Sequence, residues 1–167
     1  MELLLSDYFI DHISIDVEVN RYALNLWVWH ADKIPPHIGI SIEGKYFSLK
    51  ANGKDENMSI DKVTDLITKK KITALCFELN NSVQYKDMET CFANYELTVP
   101  NKITCLHPIK EILGCEKVRK LTELLTELYQ HQNVERVIGF NTGEGFSGIK
   151  NYSTKDIHSR LKKLSNG

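Results

Sequence analysis

Pro35-Pro36-His37-Ile38-Gly39-Ile40-Ser41-Ile42-Glu43-Gly44-Lys45-Tyr46-Phe47-Ser48-Leu49-Lys50 reads as a tight β-hairpin. Glu43-Gly44 is its two-residue turn, since glycine tolerates the positive φ that such turns demand. Antiparallel counting then sets Ile42 opposite Lys45, Ser41 opposite Tyr46, Ile40 opposite Phe47, Gly39 opposite Ser48, Ile38 opposite Leu49 and His37 opposite Lys50. Period two sorts Ile38, Ile40, Ile42, Phe47 and Leu49 onto a core face. His37, Gly39, Ser41, Tyr46, Ser48 and Lys50 fall on the other, polar face. There Ser48 is the diagonal neighbour of His37, about 7–8 Å away or a little less between β-carbons. A hydroxyl at that point would fix the imidazole tautomer and leave one ring nitrogen free as a base. The simpler reading of the hairpin alone makes His37 a strand-end residue on a solvated face.

Working outward, the first third of the chain reads as strands. Ile13 to Val19 alternates with period two, and Leu24 to Trp29 is β-rich with two tryptophans. Residues 52–57 form a polar loop. Ser59 caps a helix through Val63, Leu66 and Ile67 to the lysine run at 69–71. Ile72 to Leu79 is a buried strand, Met88 to Phe92 a short helix, and Glu96 to Val99 a further strand before Pro100. Helices dominate from about residue 105: Cys105 to Leu113 stopped by Gly114, Glu116 to His131, and a last one after Ser153 that buries Ile157, Leu161 and Leu164. Val134 to Phe140 is a strand between them. The expected class is α+β, an antiparallel sheet packed against helices, in a single domain over 1–167 whose C-terminal part is helical.

Composition narrows the function classes. With 42% hydrophobic and 26% charged residues and a net charge of −1, the chain has no electrostatic signature of a nucleic-acid or membrane-surface binder. No apolar run is long enough to span a membrane. The start Met1-Glu2-Leu3-Leu4-Leu5 carries an acid where a signal peptide has a base, so a cytoplasmic location is expected, export without a cleavable signal remaining open. Four cysteines with no close pairing pattern fit reduced thiols. Cys105-x-His107 with His30 or His37 lacks the usual spacing of a zinc site, and no metal is expected. The glycine-rich loop 143–148 lacks the Lys-Ser/Thr ending of a phosphate-binding loop, so no cofactor is expected and the loop reads as a mobile rim or lid.

Cys105 carries the chemistry. Pro108 is tolerated only in a first helical turn, so the helix begins just before it. Cys105 then lies where unpaired N–H groups and the helix dipole favour a thiolate, and a neighbouring imidazolium would lower its pKa further. A free cysteine also packs readily as a small hydrophobe, a description that suits Cys76 best, Cys91 and Cys115 moderately, and Cys105 least.

The order histidine hairpin, then helix-heading cysteine, resembles the circularly permuted papain-like hydrolases, relatives of NlpC-type cell-wall peptidases and lecithin–retinol acyltransferases. His37-Ile38-Gly39-Ile40 is similar to their histidine strand, and Thr104-Cys105-Leu106 through Gly114 to their cysteine helix. The resemblance covers roughly residues 22–115. It implies Cys105 as nucleophile, His37 as general base and Ser48 as the third, orienting residue. Serine there departs from the more usual histidine, and His30 and Glu78 are fallback partners. Trp29 as a cleft wall, with Tyr46 and Ser41 on the polar hairpin face, are the candidate substrate-binding residues. The function this implies is thiol-dependent hydrolysis or acyl transfer on a peptide, isopeptide, peptidoglycan-like or acyl substrate. The competing function is a non-catalytic binding, accessory or immunity module on the same architecture.

Overall fold

The computed structural model describes residues 13–150 and 152–166. Seven strands form one mixed sheet in the order β1-β7-β6-β2-β3-β4-β5. They are β1 (Ile13–Ser14), β2 (Leu24–Trp29), β3 (His37–Ile42), β4 (Lys45–Lys50), β5 (Gly53–Ser59), β6 (Ala74–Leu79) and β7 (Val134–Phe140). The β1–β7 pair is parallel and the other five pairs are antiparallel, so the sheet is mixed where a purely antiparallel one was expected. Five helices pack on it: α1 (Ile60–Lys69), α2 (Tyr85–Phe92), α3 (Leu106–Ile112), α4 (Leu121–Gln130) and α5 (Thr154–Asn166). The protein is thus α+β. None of these helices is long and apolar enough to cross a membrane.

The hairpin turn forms as its sequence requires. Glu43 and Gly44 both have positive φ, 53° and 79°, the signature of a type I′ turn. The pairs Ile42–Lys45, Ser41–Tyr46 and Ile40–Phe47 follow. The ladder ends there, and the three outer pairs counted from the sequence do not form. Beyond Phe47, β4 stays with β5 instead, where Ser48 pairs with Asp55 across an irregularity in register. β3 and β4 therefore part like a fork, and Ile38 and Leu49 on its two tines line a cavity.

Both faces of the sheet are buried. On one, the predicted core side chains of the hairpin join Leu24, Leu26 and Val28 of β2 under α2 to α5. On the other, α1 lays Ile60, Val63 and Ile67 over Trp27, Tyr46, Ala74 and Cys76. The polar hairpin face is consequently covered rather than solvated: Ser41 and Ser48 are fully buried and Tyr46 nearly so. Burial of those hydroxyls is tolerable because each finds a partner. Trp27 Nε1 donates to Ser41 Oγ at 2.8 Å, Trp29 Nε1 to the Tyr46 hydroxyl at 2.7 Å, and Ser48 Oγ to Asp55 Oδ2 at 2.9 Å.

Other boundaries moved for identifiable reasons. The strand expected over 13–19 stops at Ser14, and Asp16 adopts a left-handed φ of 57° that no strand accommodates. Residues 53–59, expected mostly as loop, form edge strand β5; its charges show a sheet edge open to water, and backbone pairing needs no apolar pattern. No strand forms at 96–99, where Val99 makes only an isolated bridge with Ile103. α4 starts at Leu121, not Glu116, because its first free N–H is capped by the Tyr152 hydroxyl at 2.7 Å from far along the chain. Ser59 caps α1 as expected, and the Ser153 hydroxyl accepts from the Asp156 N–H at the start of α5.

Tyr46 reaches Trp29 by lying across β3 at Gly39, where a β-carbon would overlap the tyrosine hydroxyl and Cζ. Gly39→Ala is expected to lower the unfolding free energy by about 1–3 kcal/mol, the usual cost of overpacking a tight site. Urea denaturation at an unchanged m-value checks it, and a variant as stable as the parent would contradict this packing.

Candidate functional site

The cavity at the β3–β4 fork has a volume of about 520 Å³. Its sheet side is built from Trp29 and His30 at the end of β2, His37 and Ile38 at the start of β3, and Leu49 and Lys50 at the end of β4. Its helix side comes from Thr104, Cys105 and Leu106 at the head of α3, Leu121, Tyr152, and Ile157, Arg160, Leu161 and Leu164 on α5. Size and mostly apolar walls with a few polar groups are those of small-molecule sites. Leu164, expected in the core, is 46% exposed and lines this cavity instead.

Cys105 and His37 are thus brought to one cavity from 68 residues apart in sequence. Cys105 is the N-cap residue of α3, a helix of 7 residues stopped at Gly114 with φ 71°. Thr104 fixes the approach: its Oγ1 accepts from Leu106 N–H at 3.2 Å, and its N–H donates to His107 Nδ1 at 2.9 Å. That bond occupies His107 Nδ1, and His107 is not among the residues lining the cavity. The backbone N–H groups of Ile38, beyond the end of the β3–β4 ladder, and of Cys105 itself act on the Cys105 thiol in favour of its thiolate form.

The resting protonation states reverse the sequence expectation for the cysteine. Burial pushes the Cys105 thiol above its ordinary value of 9.0, and the two N–H groups offset this only in part. Burial also lowers the His37 pKa from 6.5 to about 4, against the attraction of Asp55. At neutral pH the pair is therefore a neutral thiol and a neutral imidazole, with no imidazolium to stabilise a thiolate. No hydrogen bond joins the two side chains among the described residues. His37 Nε2 is buried without a hydrogen-bond partner.

Ser48 is not beside His37. Its hydroxyl donates to Asp55, whose other oxygen pairs with Lys50 Nζ at 3.0 Å. Asp55 is the main charge favouring protonation of His37, followed in influence by the opposing Lys50 and His30. Of the three candidate substrate-binding residues only Trp29 lines the cavity; Tyr46 and Ser41 are buried under α1. Glu78 is paired with Arg136 at 3.1 Å on β6. The loop at 143–148 does not reach this cavity; Gly143 borders a separate groove beside β1 and β7.

Two contributors were missed. Asp55 lay in a segment read as loop. Arg160 had a visible signal, because it stands three residues after Ile157 and four before Leu164, inside the apolar stripe of its own helix. Comparison of the chain with models of protein families, with curated proteins and with solved structures found no match.

Two measurements follow from these protonation states. Iodoacetamide should label Cys105 more slowly at pH 7 than an unstructured peptide thiol, accelerating only above pH 9, as peptide mapping would show; fast labelling at neutrality would contradict the buried neutral thiol. For His37, a folded pKa below the unfolded one means that the unfolded chain binds more protons between the two values. Its contribution is full above pH 6.5 and is lost as pH falls toward 4, by up to about 3 kcal/mol. The difference between wild-type and His37→Gln unfolding free energies, followed from pH 7 to 4, isolates it from the carboxylates.

Proposed function

We propose that the protein is a papain-like thiol enzyme of the permuted arrangement, a hydrolase or acyl-transferase that opens an amide or ester through Cys105 and His37. The observation that carries this reading is that Cys105 and His37 line one cavity, with backbone N–H groups that favour the thiolate over the thiol. The substrate's carbonyl carbon is attacked by Cys105 Sγ while the thiol proton passes to the His37 imidazole. The bond to the leaving amine or alcohol then breaks, and His37 returns the proton to it. Water, or a second nucleophile in transfer, attacks the thioester, gives its proton to His37 and restores the thiol. N–H groups at Cys105 and Ile38 are the donors available to the developing oxyanion.

Because both groups rest neutral, proton transfer accompanies attack and no ion pair precedes it. Asp55 then stabilises the imidazolium as it forms, and Ser48 acts through Asp55 by fixing its carboxylate. The apolar walls formed by Leu106, Leu121, Ile157 and Leu161 suit an apolar acyl group better than a sugar-linked one. Four free cysteines fit work in a reducing compartment such as the cytoplasm.

A second reading, a non-catalytic binding module, is favoured by one observation, the raised pKa of the buried Cys105 thiol. Incubation with p-nitrophenyl octanoate separates the two. The enzyme reading expects a stoichiometric burst of p-nitrophenolate and an octanoyl mass on Cys105, absent in Cys105→Ala and slowed about 10²–10⁴-fold in His37→Ala. No acyl adduct, or one that forms equally fast without His37, would leave the binding module.

A further inference from the structure

The walls of the Cys105 cavity carry charge of one sign. Lys50 and Arg160 are its two formally charged lining residues, and no aspartate or glutamate lines it among the described residues. Lys50 is answered from behind by Asp55 at 3.0 Å. Arg160, exposed on α5, forms no ion pair among the described residues. Arg160 and His30 both line the cavity, and the Arg160 charge acts on His30. Partial burial lowers the His30 pKa, so His30 is neutral at pH 7 and offers a hydrogen-bond donor rather than a second cation. The groups acting on His30 are Asp32, which favours its protonation, and Lys33, Arg160 and Lys70, which oppose it.

A long-stemmed arginine usually keeps its guanidinium in water and its methylenes on apolar surface. Here that surface is the wall of a ligand-sized cavity, since Arg160 shares one helical stripe with Ile157, Leu161 and Leu164. The planar fork of a guanidinium matches a carboxylate or phosphate through two parallel hydrogen bonds, which an ammonium cannot reproduce. An apolar interior with a lone uncompensated fork at its rim is complementary to an apolar body that ends in an anion.

We infer that the cavity binds acidic amphiphiles, an apolar chain lying against α5 with its carboxylate or phosphate held by Arg160 and His30 at the rim. The inference rests on reading this cavity as a ligand site and names the class of molecule that enters it, whether or not Cys105 then reacts. Specificity comes from charge: an uncharged chain gains the apolar contacts alone, and a cationic one meets Arg160 as a like charge.

Isothermal titration of the full chain, as wild type and as Cys105→Ala, against four twelve-carbon probes tests it. The probes are dodecanoate, dodecyl phosphate, dodecanol and dodecyltrimethylammonium, each below its micelle threshold. At least one anionic probe should bind both proteins about tenfold or more tighter than dodecanol and dodecyltrimethylammonium, in line with a charge-assisted hydrogen bond. Whichever anion is preferred identifies the headgroup. Arg160→Gln should abolish the preference while leaving dodecanol affinity unchanged, and Arg160→Lys should restore only part of it. Arg160 is exposed, so these variants keep the core intact. Equal binding of anionic and cationic probes, no binding of any anion, or an anion preference that survives Arg160→Gln would overturn the inference. Loss of octanoyl transfer to Cys105 with anion selectivity retained would instead count against the thiol chemistry alone.

Discussion

Everything at this site depends on the close approach of Tyr46 to Gly39. A tyrosine can cross a neighbouring strand at van der Waals contact only where the backbone carries no side chain. Once there, its hydroxyl accepts from Trp29 Nε1 and ties β4 to β2 across β3. The adjoining hydroxyl of Ser48 bonds to Asp55 and holds β4 to β5 just where the β3 ladder has ended. The parted strands leave the Ile38 N–H outside the β3–β4 ladder, and Ile38 and Leu49 line the cavity there. A buried, fully partnered polar row of this kind makes one arrangement of the strands much better than its alternatives.

The same burial that shapes the site sets its chemistry. Burying a thiol and an imidazole disfavours the charged form of each, so the thiol pKa rises and the imidazole pKa falls. A helix-terminal cysteine was expected to be acidified by the dipole. The dipole of a 7-residue helix is short, however, and desolvation outweighs the two N–H groups. The carboxylate that favours protonation of His37, Asp55, comes from an edge strand with no apolar signature.

Much of the hairpin was legible before any coordinates. Glu43-Gly44 dictated the turn, and the alternation of Ile38, Ile40 and Ile42 with Phe47 and Leu49 dictated the core face, because local steric rules and period two suffice for both. Ser48 failed as the neighbour of His37 for a different reason. Register counting assumes that a ladder continues to the end of both strands, and it cannot see a tyrosine lying across a glycine. The face read as solvated was likewise a matter of what lies above it; α1 has its own clear apolar stripe, yet nothing local says that it covers Ser41 and Tyr46.

By itself, then, the sequence determined the elements with strong local rules: the I′ turn, the cap at Ser59, the helix start after Ser153, the stop at Gly114, and the strand runs of β2, β6 and β7. Only the tertiary structure decided that His37 and Cys105 share a cavity, that Ser48 serves Asp55, and that Tyr152 caps α4. These are contacts between distant segments whose geometry follows from packing, and local periodicity carries no information about them. Arg160 lies between the two cases. Its position within an apolar stripe was written in the helix spacing, while the cavity that gives the position meaning exists only once α5 has docked on the forked sheet.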